Sequence, residues 1–197
     1  MTQSNFVDNI KNTDPKIIGI TGNSGSGKSY IAKKFAEEEN AFVISADEIA
    51  HKVTAPDGAA YREIVEAFGD EILSNDALTG HIDRKILGSI VFSDQKKREL
   101  LEHISHKHVI EEINKLRESV LTSDSGYKYI IIDAPLLIEA NQHHTVDEVW
   151  VVNSDIETRL ERVMARDSIS REDALRRFSV QTAFEELVKY ADRIIEN

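Results

Sequence analysis

Apolar residues recur along the chain with two different periods. Ile17, Ile18 and Ile20 form a short run, and "AFVIS" (41–45), "YIIID" (129–133) and "EVWVV" (148–152) are similar; "RII" (193–195) is shorter. Brief runs rich in β-branched residues predict buried strands. Between them the spacing becomes helical. Lys28 to Glu39 carries Ile31, Ala32 and Phe35, and residues 59–69 carry Ile64, Ala67 and Phe68 on one face. Residues 83–92 also read as a helix, as do residues 94–120 through Leu100, Ile104, Ile113, Leu116 and Val120. Strands alternating with helices predict an α/β fold, a parallel sheet covered on both faces.

One connection is too long for that plan. Residues 46–128 separate the second strand from the third by roughly eighty positions, where a plain crossover needs about a dozen. The helical patterns inside this stretch predict a small helical subdomain, inserted between strands 2 and 3 over the sheet edge. The polar start, residues 1–15, ends in Asp14-Pro15 and reads as a flexible extension.

The segment after the first strand carries chemistry. Gly22, Gly27, Lys28 and Ser29 fit G-x-x-x-x-G-K-[ST] at every fixed position, with a strand before and a helix after. Such a loop turns backbone N–H groups onto phosphate oxygens, and glycine permits the backbone angles and the close approach. The following helix adds the positive end of its dipole. The predicted nucleotide contacts are Gly22, Asn23, Ser24, Gly25, Ser26, Gly27, Lys28, Ser29 and Tyr30. Lys28 can reach the β- and γ-phosphates, and the Ser29 hydroxyl can ligate Mg²⁺. The loop therefore predicts a magnesium nucleoside triphosphate and a P-loop NTPase-type sheet. The absence of an N-K-x-D tetrad leans the base toward adenine, hence ATP.

Asp47 lies just past the second strand, on the sheet edge where ligands of doubly wound folds gather. It can accept a proton from an attacking hydroxyl or hold a metal-bound water. It would also serve as an N-cap for a helix over residues 48–53. His51, four residues on, shares its helical face and could meet a substrate. Asp133 ends the third strand, where a carboxylate can hold Mg²⁺ through water or form a turn before Pro135. In residues 157–177, Arg159, Arg162 and Arg166 share a face. "RDSIS" (166–170) divides this stretch into two helices joined by a turn, a shape able to close over a nucleotide as a lid. The competing reading is a solvated face in which Arg162 pairs with Glu157 and Glu161. His143-His144 reads as an exposed polar turn.

Composition narrows the function. The chain has 197 residues, a net charge of −11 and no cysteine. That length suits one α/β domain. The acidic balance argues against general nucleic-acid or anionic-membrane binding but allows a small phosphate ligand. Without cysteine there is no disulfide, thiolate metal site or cysteine nucleophile. No apolar run is long enough to span a membrane, and the N-terminal stretch lacks the pattern of a secretory signal. The expected setting is cytoplasmic, the expected state a monomer or small homo-oligomer acting on small molecules. From these residues alone the class stays open between a small-molecule kinase, another P-loop nucleoside or nucleotide kinase, and a nucleotide-dependent switch.

A resemblance narrows it further. "SADEIAH" (45–51), "FGDEIL" (68–73), "IDRKILGSIVF" (82–92), "APLLIE" (134–139), "RVMARD" (162–167), "RFSVQ" (177–181) and "ADRIIEN" (191–197) follow in order. Together with the phosphate loop they resemble the dephospho-coenzyme A kinase family. The resemblance implies transfer of the ATP γ-phosphate to the 3′-hydroxyl of dephospho-CoA, the last step of coenzyme A biosynthesis. It implies Asp47 as catalytic base, Arg166 as the lid arginine on the transferred phosphate, and His51 and Arg84 on the acceptor side. It also implies one kinase domain over residues 16–197. Within it, 16–58 and 123–197 form the nucleotide core, 59–122 the helical acceptor subdomain and 157–181 the lid. The chain departs from the family pattern at Asn23-Ser24, at Tyr30 where threonine is usual, at Lys107 where proline is usual, and at Ser45, where the first aspartate of the pair stands in relatives.

Overall fold

The computed structural model describes residues 14–74 and 80–197. Residues 1–13 of the expected N-terminal extension lie outside the described residues. Five strands form one sheet: β1 (Lys16–Thr21), β2 (Ala41–Ser45), β3 (Tyr129–Asp133), β4 (Glu148–Asn153) and β5 (Arg193–Glu196). All pairings are parallel, in the order β2-β3-β1-β4-β5. All five expected strands are present. β1 lies centrally, with Ile18 opposite Ile131 on one side and Glu148 on the other.

Side-chain alternation divides the core. Ile18 and Ile20 of β1, Ile131 of β3, and Trp150 and Val152 of β4 point to one face, where they meet Ala32 and Phe35 of α1 (Lys28–Glu39). The Phe35 ring meets Trp150 edge-on at 4.9 Å and Tyr129 at 5.1 Å. The alternate residues Ile130, Ile132, Val149 and Val151 point to the other face and pack with the helices of the long insertion. Period-two patterning on a sheet buried from both sides thus produces two core layers from continuous apolar strands.

The insertion consists of α2 (Ala46–Val53), α3 (Tyr61–Phe68), a short 3-10 turn (Asp70–Ile72), α4 (Arg84–Ser93) and α5 (Gln95–Thr122). Asp83 and Asp94, read as first helical residues, are the N-caps of α4 and α5. Asp83 accepts from the N–H of Lys85 and Ile86, and Asp94 from those of Lys96 and Lys97. α5 is the spine of this layer; Ile104, Ile113 and Val120 reach the shared core. It runs unbroken through His106 and Lys107.

After β4 come α6 (Ile156–Asp167), α7 (Arg171–Phe178) and α8 (Phe184–Val188). The expected break falls at Ser168, in the left-handed region at φ 53°. α6 and α7 have a small core of their own, Leu160, Val163 and Ala174 with Met164, Ile169 and Phe178, separate from both sheet layers.

Candidate active site

The loop from Gly22 to Gly27 joins β1 to α1 at the carboxyl edge of the sheet. All three of its glycines are sterically required, and at Gly22, φ +154°, a Cβ would lie 2.4 Å from the Val152 carbonyl oxygen. Gly25 has φ +81°, and a Cβ there would lie 2.5 Å from the Arg159 carbonyl oxygen; Gly27 has φ +87°, and a Cβ there would lie 2.0 Å from Asn197 Nδ2. A side chain would be strained in angle and would collide with the neighbour that supports the loop.

That support comes from far along the chain. Arg159 Nε donates to the Ser24 carbonyl at 3.0 Å and Arg162 Nη1 to that of Gly25 at 3.1 Å. Asn197 Nδ2 donates to the Ser26 carbonyl at 2.9 Å. Within a trans peptide the C=O and the next N–H point in opposite directions. Drawing the carbonyls of Ser24 and Ser26 outward therefore turns the N–H groups of Gly25 and Gly27 to the other side of the loop. Gln181 Nε2 donates to Ser24 Oγ at 2.7 Å, and Asn23 Nδ2 donates to the Thr182 carbonyl at 3.1 Å. Ser26 Oγ is buried and has no hydrogen-bond partner among the described residues.

These contacts correct two readings of the arginine stretch. Arg162 does not pair with Glu157 or Glu161; its guanidinium serves the loop carbonyls, and Glu157 instead holds Arg171 at 2.7 Å. Arg159 is partly buried, with its guanidinium 4.5 Å above the Phe178 ring, and burial lowers its pKa. Arg162 and Arg166 both line the cleft that runs from the loop to Asp47, and Arg166 alone of the three also lines the neighbouring cleft that holds His51. Asp167 grips it through Nε at 2.7 Å and Nη2 at 2.9 Å and also binds Arg177 at 2.6 Å, tying α6 to α7. The Asp167 contact, aided by the more distant charge of Asp47, raises the Arg166 pKa. Asp167 is correspondingly lowered, chiefly by Arg166.

Asp47 is not a cap. Ser45 occupies that position, its side chain accepting from the Glu48 N–H, and Asp47 sits in the first turn of α2. The cap function is met by Ser45, which leaves the Asp47 carboxylate available for contacts outside the helix. Its side chain is 68% exposed, and Oδ2 lies 3.7 Å from Lys28 Nζ. Lys28 Nζ also lies 2.8 Å from Oδ1 of the buried Asp133 and 3.4 Å from Ser29 Oγ. One lysine thus stands between two carboxylates and beside the loop serine.

Clefts radiate from this point. One of about 680 Å³ is lined by all nine residues from Gly22 to Tyr30, with Asp47, Arg162, Arg166 and Gln181. A second, about 640 Å³, holds His51, His81 and Arg84, again with Asp47 and Arg166. The His51 ring contacts the Arg84 guanidinium, so the two expected acceptor-side residues are neighbours. A small cleft of about 370 Å³ brings Ser29 and Asp133 together with Asp47 and His51. Tyr30, 63% exposed, borders the first cleft. The other histidines divide. His108 bonds Glu63 at 2.8 Å, which lowers the Glu63 pKa. His143, expected to be exposed, has a buried Nδ1, and its ring lies tilted against His144 at 3.8 Å and edge-on to Tyr190 at 4.7 Å; burial lowers its pKa. Among the described residues no cluster of three or more His, Asp or Glu side chains suits a metal ion, and no helix is long and apolar enough to cross a membrane.

Sequence reasoning did not find Gln181, Thr182 or Asn197 as loop partners. Gln181 and Asn197 had only their membership of the short strings 177–181 and 191–197, which names no contact, and Thr182 had no signal.

A parallel sheet with a phosphate loop after its central strand, and an exposed carboxylate in the helix that follows β2 set beside the loop lysine, defines a P-loop phosphotransferase by fold and site. The comparisons with known proteins agree and go further. The dephospho-CoA kinase family profile matches residues 16–197. A dephospho-CoA kinase of Carboxydothermus hydrogenoformans is 43% identical over 92% of this chain and 85% of its own length. One from Geobacter sulfurreducens is 44% identical over 92% and 89%. A solved Thermus thermophilus structure superposes with a TM-score of 0.77 at 31% identity, covering 94% of this chain and 90% of its own. A Campylobacter jejuni dephospho-CoA kinase structure gives 0.64 at 31%, covering 92% and 87%. The chain belongs to the dephospho-CoA kinase family, whose members are ATP-dependent transferases of coenzyme A biosynthesis.

Proposed function

We propose that this chain phosphorylates the 3′-hydroxyl of dephospho-CoA with ATP bound along Gly22 to Tyr30 and the acceptor bound in the cleft of His51 and Arg84. The observation that carries the reading is that Asp47 and Arg166 line both clefts, with Asp47 Oδ2 only 3.7 Å from Lys28 Nζ. Substrates entering the two clefts meet at one carboxylate.

The chemistry follows from that meeting. Asp47 takes the proton of the 3′-hydroxyl as its oxygen bonds to the γ-phosphorus. The bond from that phosphorus to the β–γ bridging oxygen breaks, and ADP leaves. Lys28 and the loop N–H groups neutralise charge on the β- and γ-phosphates, and Arg166 neutralises charge on the moving group. Ser29 and Asp133 line one small cleft and offer hard oxygen donors, which suits Mg²⁺. Bound there, the ion supplies further charge neutralisation of phosphate oxygens. In this reading residues 59–122 hold the acceptor and 157–181 act as a lid, whose α6–α7 pair has a small core of its own.

The test follows ADP release from Mg-ATP with dephospho-CoA, with nucleosides, or with no acceptor. The product is then checked for a phosphate on the ribose 3′-oxygen. Release that requires dephospho-CoA and yields that ester supports the reading; equal release without acceptor refutes it.

A further inference from the structure

A fourth cleft opens beside Asp47, and its walls are more apolar than those of the other three. It has a volume of about 350 Å³, at the lower end of the range for small-ligand sites, about 300–1,000 Å³. It lies between α5 and the segment after β3. Val109, Ile110 and Ile113 form one wall and Leu136 and Leu137 the other, with Asp47 at the mouth. Arg84 and Arg166 are both on the His51 side, and neither borders this cleft.

We infer that the acceptor divides at Asp47, its adenine entering the apolar cleft between α5 and residues 134–140 and its diphosphate entering the cleft of His51, His81 and Arg84. The inference rests on the dephospho-CoA reading and deepens it. Covalent connectivity makes the argument. The reacting oxygen is on C3′ of the ribose. The base is attached at C1′, two carbons away around the ring, and the diphosphate begins at C5′, two carbons away in the other direction. With the 3′-oxygen at Asp47, base and diphosphate must leave the carboxylate in different directions. Charge decides which goes where. A diphosphate placed between aliphatic walls would be desolvated without a partner, whereas the opposite cleft offers a guanidinium and two imidazoles. The base has flat apolar faces for Val109, Ile110 and Leu136, and the polar groups of Ser105, His106 and Gln142 on the same cleft can meet its edge. The pantetheine arm begins beyond both phosphates. A pocket opening at Asp47 is therefore closer to the base than to the arm. The arm also carries two amides and a hydroxyl that aliphatic walls would leave unsatisfied.

The experiment uses the whole chain with carbon-13-labelled Ile, Leu and Val methyl groups, saturated with dephospho-CoA. Nuclear Overhauser effects from the methyls of Val109 and Ile110 to the adenine H2 and H8 protons are expected. Effects from those methyls to pantetheine protons, or to no acceptor proton at saturation, overturn the inference. In parallel, Val109→Phe narrows the cleft and should raise KM for dephospho-CoA about tenfold or more, with KM for ATP unchanged. Arg84→Ala should also raise it about tenfold, through loss of a charged contact, and leave the adenine effects in place. An unchanged KM for dephospho-CoA in Arg84→Ala would take the diphosphate out of that cleft and overturn the division. Should Val109→Phe fail to fold, the labelled wild-type chain decides the matter alone. Wild-type turnover of dephospho-CoA is measured first: its absence sinks the functional reading, whereas turnover with the wrong contacts sinks only the division of the acceptor.

Discussion

Replacing Asp47 by asparagine exchanges one carboxylate oxygen for an amide and leaves the side-chain volume nearly unchanged. The structural cost is small and can be bounded. The helix cap belongs to Ser45, so it survives. The charge in the first turn of α2 is lost, worth about 0.3–1 kcal/mol against the helix dipole. The contact with Lys28 at 3.7 Å corresponds to about 1 kcal/mol at the dielectric of water. The water-like value applies because the Asp47 side chain is 68% exposed, and Lys28 keeps its shorter bond to Asp133. Total destabilisation therefore stays within about 2 kcal/mol. The loss of a general base costs about 10²–10⁴-fold in kcat, or about 3–5.5 kcal/mol of transition-state free energy. The assay is coupled ADP release at saturating dephospho-CoA, with KM for ATP and a thermal melt on the same preparation. The expected result is a collapse of kcat with KM for ATP within a few-fold and Tm within several degrees. Turnover near that of the wild type would refute the base assignment. A kcat loss matched by a large fall in Tm would show that Asp47 acts on the fold instead.

Other outcomes are equally specific. Lys28→Ala should reduce kcat/KM for ATP by about 10²-fold and also lower stability by about 3 kcal/mol, because buried Asp133 loses its partner. Adding Asp133→Asn should restore the melt without restoring turnover, and recovery of both would remove the loop lysine from the mechanism. Arg162→Ala should raise KM for ATP about tenfold or more by freeing the Gly25 carbonyl, and an unchanged KM would show that the loop holds its form without it. Burial, with a smaller contribution from His144, lowers the His143 pKa, so the unfolded chain binds more protons than the folded one once the pH falls below about 6.5. Its contribution to stability is full above that value and lost as pH drops through the lowered folded pKa. His143→Phe should flatten the decline of Tm between about pH 7.5 and pH 5.5, and an unaltered slope counts against the assignment. Hydrogen exchange in residues 157–181 should slow when ATP and dephospho-CoA are both present; identical exchange with and without them would rule out lid closure.

Much of this protein is decided locally. The apolar runs at 41–45, 129–133 and 148–152 are strands because consecutive β-branched residues suit a sheet buried on both faces. Gly22, Gly27, Lys28 and Ser29 specify a phosphate loop because only that spacing lets one short turn deliver amides, a cation and a hydroxyl to the same polyanion. The break in 157–177 is likewise local, with Ser168 in a left-handed conformation that ends α6. These features depend on neighbours within a few positions, and the pattern of residues encodes them directly.

Tertiary structure decided what joins distant parts. The order β2-β3-β1-β4-β5 sets Lys28 between Asp47 and Asp133, residues separated by the whole helical insertion. Spacing could put Arg159, Arg162 and Arg166 on one face but could not say that the first two hold loop carbonyls while the third reaches the cleft of His51. Asn197 has no local sign of its role; it meets Ser26 only because β5 docks beside β4 and ends at the loop. The physical reason is range. Dihedral preference and periodicity act over one or two turns, whereas a hydrogen bond across more than a hundred residues exists only after the sheet and its covering helices have closed the distance.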